Sequence, residues 1–220
     1  MGLGRVIALA ASGMLLLVAS AGVAAAQGAG ASAELKDAQG NGVGNAQFTE
    51  GPNGVLITAN LQQGQQAVEP GEHGIHIHEK GDCSSSDFES AGKHFNPGNT
   101  KHGLENPEGP HAGDLPNMTV NEDGSATYQA TTDRVTLSSG DTSLFDSDGS
   151  ALVIHAKADD QMTDPSGGSG DRVACGEIER TGSTSRLPGS GGIDVPLVAL
   201  LGVALLGAGV FVWRWGFAAR

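Results

Sequence analysis

Apolar positions along this chain fall into three regimes. From Val6 to about Ala19 they form one long run, from Val195 to Trp213 they form another, and between the two they recur only in short bursts. In that middle region no stretch keeps a helical period, whereas Ala33 to Ala38 and Val55 to Leu61 are short and β-prone. Asn41-Gly42, Pro52-Asn53-Gly54, Asp123-Gly124 and Asp148-Gly149 separate such stretches with turn chemistry. Thr119-Val120 and Ala126-Thr127-Tyr128 flank Asn121-Glu122-Asp123-Gly124 as the arms of a hairpin would, and Ala151 to Ala156 reads as a buried strand. Short strands at this spacing predict an all-β chain, folded as an antiparallel sandwich or barrel.

Between Cys83 and Asn117 the pattern changes: the chain becomes rich in Gly, Pro, His and Asn and poor in apolar residues. A segment this long without regular structure is uncommon in a compact domain and is usually functional. Something other than a hydrophobic core must order it, and metal ligands are the candidates.

The terminal runs read as targeting segments. Arg5, the first run and the small residues ending at Ala24-Ala25-Ala26-Gln27 follow the order of a secretory signal peptide, so 1–26 is a leader, with an uncleaved anchor as the alternative. The second run carries no charge and is followed by Arg214 and Arg220, as in a membrane span over 193–213 with a cytoplasmic tail over 214–220. Residues 27–180 are left as one folded domain, its first residues, Gln27 to about Ser32, read as a disordered lead-in. From Thr181 to Gly192 the composition turns to Gly, Ser, Thr and Pro, which marks a tether. Within it Leu187-Pro188-Gly189-Ser190-Gly191 resembles the LPxTG sorting motif of Gram-positive surface proteins, with Ser190 where that motif has Thr. A retained membrane span and sortase-type attachment to the cell wall both stay open, and either leaves the domain outside the cell.

The formal net charge is −13, and it deepens if both ends leave, because Arg5, Arg214 and Arg220 go with only Asp194. So acidic a surface argues against nucleic acid and anionic lipid as partners. The only two cysteines, Cys83 and Cys175, lie in the exported region. Paired, they would close a long loop and contribute about 4 kcal/mol in the chain-entropy model; two free thiols are the alternative.

All seven histidines fall between His73 and His155. In Gly74-Ile75-His76-Ile77-His78 the alternation would point both imidazoles to one face of a strand and both isoleucines to the other. His94, His102, His111 and Asp114 lie in the loop-rich segment, and three imidazoles with one carboxylate suit zinc. His155, in Val153-Ile154-His155, could approach His76 and His78 across the sheet, and three or four imidazoles in a flattened arrangement suit Cu(II) with an open axial position.

Six segments, in order, resemble the motifs of the copper/zinc superoxide dismutase family: Gly74-Ile75-His76-Ile77-His78-Glu79, Gly92-Lys93-His94-Phe95-Asn96-Pro97, Lys101-His102-Gly103, His111-Ala112-Gly113-Asp114-Leu115, His155-Ala156-Lys157-Ala158-Asp159-Asp160 and Arg172-Val173-Ala174-Cys175-Gly176. The resemblance covers roughly Ala33 to Arg180. It implies a Greek-key antiparallel β-barrel or sandwich with long metal-binding loops. Copper would be held by His76, His78, His94 and His155, and zinc by His94, His102, His111 and Asp114, so that His94 serves both ions as a bridging imidazolate. Asp159 would link one histidine of each site, Cys83 and Cys175 would form the family's disulfide, and His73 would be a structural hydrogen-bonding partner. Arg172 would hold the superoxide anion beside the copper, and His94 and Arg172 would be the catalytic residues.

The implied reaction converts superoxide to dioxygen and hydrogen peroxide outside the cell, with superoxide as the small-molecule partner. One departure bears on rate: Gln161 to Asp171, matching the family's electrostatic loop, is short, lacks lysine and carries Asp164 and Asp171. Lys80, Lys93 and Lys157 are then the candidates to focus a local positive field. Two other readings stand beside the enzyme, a copper-binding or copper-storing module without turnover and a structural surface domain with decayed sites. A homodimer stays open, since no long apolar strip marks a contact.

Overall fold

A computed structural model describes residues 30–181, and the structural statements that follow concern those residues. The leader, the tether beyond Thr181, the sorting-type motif, the apolar C-terminal segment and the tail lie outside them. Among the described residues no helix is long and apolar enough to cross a membrane.

The strands are β1 (Gly30–Lys36), β2 (Gly42–Gly51), β3 (Gly54–Leu61), β4 (Gly71–His73), β5 (Ile75–His78), β6 (Met118–Val120), β7 (Ala126–Thr132), β8 (Ala151–His155), β9 (Arg172–Glu177) and β10 (Glu179–Arg180). A single 3₁₀ turn, Glu89–Ala91, interrupts the β pattern. In β1 and β2 burial alternates, with Ala31, Ala33, Leu35, Ala46 and Phe48 facing inward, the half-buried pattern that period-2 side chains produce. β1 starts earlier than the sequence suggests: Ala31 and Ser32, read as lead-in, pair with Phe48 and Gln47 on one side and with Arg180 and Glu179 on the other. Small residues give a weak strand signal by themselves, and here two flanking strands supply the pairing.

The hydrogen-bonded order is β5-β8-β9-β1-β2-β3-β7, with β10 on β1 and a separate β4–β6 pair. β4 runs into β5 across Gly74, and β6 runs into β7 through the tight turn closed by Asn121 N–H on Ser125 O at 2.8 Å. The short β4–β6 ladder therefore links the two ends of the curled sheet. The connections β3 to β4 and β7 to β8 skip neighbouring strands, which is Greek-key topology. Inside lie Leu35, Phe48, Val55, Ile57, Ile75, Ile77, Leu152 and Ile154, all fully or almost fully buried. Each such side chain contributes roughly 1.5–3 kcal/mol relative to exposure.

Three long connections leave this frame, 79–117 between β5 and β6, 133–150 between β7 and β8 and 156–171 between β8 and β9. The disulfide Cys83–Cys175, with Cα atoms 5.8 Å apart, fastens the first of them to β9.

Candidate metal centre

β5 turns Ile75 and Ile77 into the core and His76 and His78 to the opposite face, as strand alternation requires. Both histidines are nevertheless fully buried, because connection 79–117 folds back along the free edge of β5. Phe95 N–H donates to Ile77 O at 2.8 Å, Ile77 N–H to Gly113 O at 2.9 Å and Glu79 N–H to Lys93 O at 2.9 Å. Isolated bridges thereby set His94 opposite His78 and Asp114 opposite His76. Gly113 is squeezed between Ile77 and Phe95, where a Cβ would fall onto the Ile77 carbonyl oxygen, so no other residue fits without displacing the backbone. The loop is thus ordered by a short backbone ladder in addition to its side chains.

On the neighbouring strand His76 pairs with Val153 and His78 with Ala151, so His155, two residues beyond Val153, shares their face. His76, His78, His94 and His155 each bring a ring nitrogen to within 4.8 Å of the others. Four nitrogens, His76 Nδ1, His78 Nε2, His94 Nε2 and His155 Nε2, are buried without any hydrogen-bond partner. The opposite nitrogen of each ring is engaged: His76 Nε2 with Asp159 Oδ2 at 2.7 Å, His78 Nδ1 with Gly92 O at 3.0 Å, His155 Nδ1 with Gly170 O at 3.1 Å and His94 Nδ1 with Asp114 Oδ1 at 2.9 Å.

A carbonyl or carboxylate accepts, so each outer nitrogen carries the proton and each inner one presents a lone pair. Four lone pairs facing one another without a donor are costly unless a cation sits among them, and the set suits copper. Burial pushes His76 down to about 3 and His155 down to about 4, and holds His78 well below its ordinary value, so these imidazoles are neutral and free to ligate at neutral pH.

A second cluster adjoins the first. Asp114 Oδ1 lies 2.9 Å from His94 Nδ1, 3.0 Å from His102 Nδ1 and 3.3 Å from His111 Nδ1. Its Oδ2 accepts the backbone N–H groups of Gly103 at 2.8 Å and His111 at 2.9 Å. His76 also comes within reach of His94, His102 and Asp114, but both its nitrogens are committed, one to Asp159 and one to the first cluster. His111 lies beside the set, its ring centroid 5.5 Å from those of His94 and His102 and its Nδ1 on Asp114. Burial alone would raise Asp114, yet its hydrogen bonds to His102, His111 and His94 hold it far below the carboxylate range. Burial would lower His102, but hydrogen bonds to Asp114 and Asp159 win and push it up to about 9. A proton held there marks a position of strong attraction for positive charge, and three imidazoles with one carboxylate suit zinc.

Asp159 spans the clusters, with Oδ2 on His76 and Oδ1 3.0 Å from His102 Nε2. Asn117 fixes its backbone from both sides, accepting Asp159 N–H at 2.9 Å and donating to Asp159 O at 2.8 Å. Gly167, at φ 61°, passes so close that a Cβ would strike the Asp159 carboxylate. His73 is not among the converging rings: Nδ1 lies 2.7 Å from His155 O and Nε2 2.7 Å from Glu69 O, a structural place under the first cluster. Sequence reading missed Asn117, Gly113 and Gly167, since none carries a ligand atom and only the folded backbone shows what each one touches.

A cleft of about 1240 Å³ opens over His78, His94 and His155. Arg172 borders it, with Nη1 donating to Phe88 O at 2.5 Å and Nη2 to Gly92 O at 2.7 Å, while Glu89 Oε2 lies 3.5 Å away. Of the three lysines considered as sources of positive field, Lys93 lines the cleft; Lys80 and Lys157 are not part of its wall, and Lys101, which was not considered, is. Against Lys93, Lys101 and Arg172 stand Glu79, Asp87, Glu89, Glu108, Asp164 and Asp171, so the rim is acidic. Asp164 is partly spoken for, pairing with Lys101 at 3.3 Å and accepting His102 N–H at 2.9 Å.

Comparison with known proteins gives a consistent picture. The family description "Copper/zinc superoxide dismutase (SODC)" matches residues 43–178. Cu-Zn superoxide dismutase 2 of Aquifex aeolicus is 44% identical over 169 residues, covering 76% of this chain and 95% of that protein. The Cu-Zn superoxide dismutase of Caulobacter vibrioides is 44% identical over 152 residues, covering 68% and 85%. Among solved structures, a double mutant of a SOD-like protein from Bacillus subtilis superposes with a TM-score of 0.62 at 43% identity, covering 66% of this chain and 94% of that one.

Proposed function

The chain belongs to the copper/zinc superoxide dismutase family, oxidoreductases that use copper and zinc, and from that premise we propose that it dismutes superoxide outside the cell at a copper ion joined to zinc through His94. Copper would be held by His76, His78, His94 and His155, and zinc by His94, His102, His111 and Asp114. One observation carries the reading: the ring of His94 turns Nε2 into the cluster of unpartnered nitrogens and Nδ1 toward Asp114. Copper supplies the two accessible valences that superoxide needs in order both to give and to take an electron, which zinc lacks.

The chain's own groups do the rest. Arg172, fixed by the carbonyls of Phe88 and Gly92, presents a guanidinium that is always charged to an anion entering the cleft. His94 is the proton-holding residue at the cleft floor: Nδ1 stays anchored on the Asp114 side while Nε2 can carry a proton toward the reacting oxygen. Asp159 orients His76 and His102 together, so a shift in one cluster is transmitted to the other. The acidic rim opposes an anionic substrate, which leaves Arg172, Lys93 and Lys101 to offset it locally.

That rim is also the observation that favours a second reading, a non-catalytic copper-binding or structural surface domain of the same fold. Metal content and superoxide removal measured on the purified protein separate the two: copper and zinc with turnover support the enzyme, and copper without turnover leaves the binding module. His94→Ala is expected to release both metals together and abolish activity; intact zinc content in that variant overturns the shared role of His94.

Export is proposed from the leader over 1–26, and a disulfide between Cys83 and Cys175 fits an oxidising compartment. Retention through 193–213 and cell-wall attachment at Leu187-Pro188-Gly189-Ser190-Gly191 differ in the mature C-terminus. Mass analysis that finds Gly191 and all beyond it missing, with a cell-wall fragment on Ser190, selects the second.

A further inference from the structure

Directly after the second cluster comes a strap, Asp114-Leu115-Pro116-Asn117, whose carbonyls are gripped one after another. Arg134 Nη2 donates to Asp114 O at 2.5 Å, Gln161 Nε2 to Leu115 O at 3.2 Å and Tyr128 Oη to Pro116 O at 2.9 Å. Two of the three donors come from the barrel wall, Tyr128 from β7 and Arg134 from just beyond its end. Neither lies in connection 79–117 or in connection 156–171.

Arg134 is half-buried, and its Nε has no partner. A guanidinium in such a place gives up hydration, and desolvation tends to lower its pKa while the charges of Asp114 and Asp133 oppose the change. Its placement therefore makes sense as service to Asp114, whose carboxylate the His94, His102 and His111 Nδ1 atoms approach. Two effects of this cation on a metal at the cluster compete. Its charge repels a second cation, and its hydrogen bond fixes the main chain that aims the Asp114 side chain. The repulsion is screened at a partly exposed guanidinium, whereas a charge-assisted hydrogen bond to an otherwise exposed-to-nothing carbonyl is not. Positioning wins.

We propose that Arg134 is a positioning residue for the zinc cluster, holding Asp114 from the barrel wall through its backbone carbonyl, with Tyr128 bracing the same strap two residues on. The inference rests on the reading of Asp114 as a zinc ligand.

The test is zinc retention by the full-length protein loaded with both metals, followed by competition with a chromophoric chelator. Arg134→Met is expected to weaken zinc binding about tenfold, the low end for groups that orient metal ligands. Arg134→Lys should recover part of the loss, and Tyr128→Phe, which deletes one neutral hydrogen bond, should cost about threefold, roughly what a net hydrogen bond is worth. Copper retention should fall less than zinc retention in all three. The thermal midpoint of the metal-free protein is read in parallel. If Arg134→Met lowers only that midpoint and leaves zinc binding unchanged, or tightens zinc binding, the proposal is wrong. Should Arg134→Met not fold, unchanged zinc binding in both Arg134→Lys and Tyr128→Phe overturns it equally. Asp114→Ala is the control: zinc kept in that variant sinks the ligand reading itself, while zinc lost there but kept in the Arg134 variants sinks only the bracing role.

Discussion

The two halves of the candidate metal centre have His94 in common and differ in almost everything else. On the β5 and β8 side, three imidazoles from sheet strands and one from the loop face one another with no acid among the inner nitrogens. On the loop side, three imidazoles from connection 79–117 gather on one carboxylate. Proton affinities move in opposite directions, with His76 and His155 pushed down to about 3 and 4 and His102 up to about 9. The contrast teaches where each kind of site can be built. Unpartnered nitrogens oppose their own assembly and need a rigid frame, which the strands provide. A cluster with its own carboxylate holds together in a loop.

Acidity and alkalinity should pull this comparison apart most strongly in the metal-free protein. A histidine whose folded value is depressed adds stability above its unfolded value of about 6.5 and loses it as pH falls toward the folded value. His155 alone then accounts for on the order of 3 kcal/mol between about pH 6.5 and pH 4, and His76 and His78 act in the same direction. His102 has the opposite sign: its contribution is complete below about 6.5 and is lost as pH rises toward 9. Urea denaturation of metal-free protein across this range should give a stability maximum near pH 6.5–7, with the acid limb steeper. A monotonic rise with pH would contradict the raised His102.

The loop half should depend on its tether more than the strand half does. Cys83→Ser with Cys175→Ser opens a link spanning 92 positions of sequence, which in the chain-entropy model costs about 4.6 kcal/mol. Thermal unfolding should show the loss, and zinc should leave more readily than copper. Equal loss of both metals would argue that the disulfide steadies the whole barrel and not the loop.

Asp159→Asn sharpens the comparison at its joint. Asn keeps the shape but can accept from only one of His76 and His102 through oxygen, so both metal affinities should fall, by about 10–100-fold. A loss confined to one metal would separate the halves that Asp159 is read to join. The smallest expected effect is at the cleft: Arg172→Ala should slow superoxide removal about tenfold, the value of one charge-assisted anion contact, with both metals retained. Pulse-radiolysis rates on metal-replete protein measure this directly.

Much of the strand half was legible in the sequence, and less of the loop half. The alternation Gly74-Ile75-His76-Ile77-His78 fixes which face each side chain takes, and Ala151 to Ala156 and the Asp123-Gly124 hairpin appear where turn chemistry and β-branching put them. β2 gave no clear signal, because Gly44, Asn45 and Gln47 dilute its alternation, and Ala31 and Ser32 joined β1 only through their neighbours. In the loop half the residues that gather on Asp114 could be read as candidates, but their arrangement could not. The ladder through Ile77, Phe95 and Gly113, the grip of Asn117 on Asp159 and the reach of Arg134 to Asp114 are contacts between residues distant in sequence, which only the folded backbone brings together. Lys101 was overlooked for a related reason: only the folded cleft shows which lysines line it.

That one imidazole serves two cations is tested most directly by loading both clusters with Cu(II) and recording the electron paramagnetic resonance spectrum. A single imidazolate between the ions couples their spins, so the account predicts a signal far weaker than the copper content requires, returning in full when zinc replaces copper in the loop cluster. Two independent Cu(II) signals that together account for all the copper would contradict it.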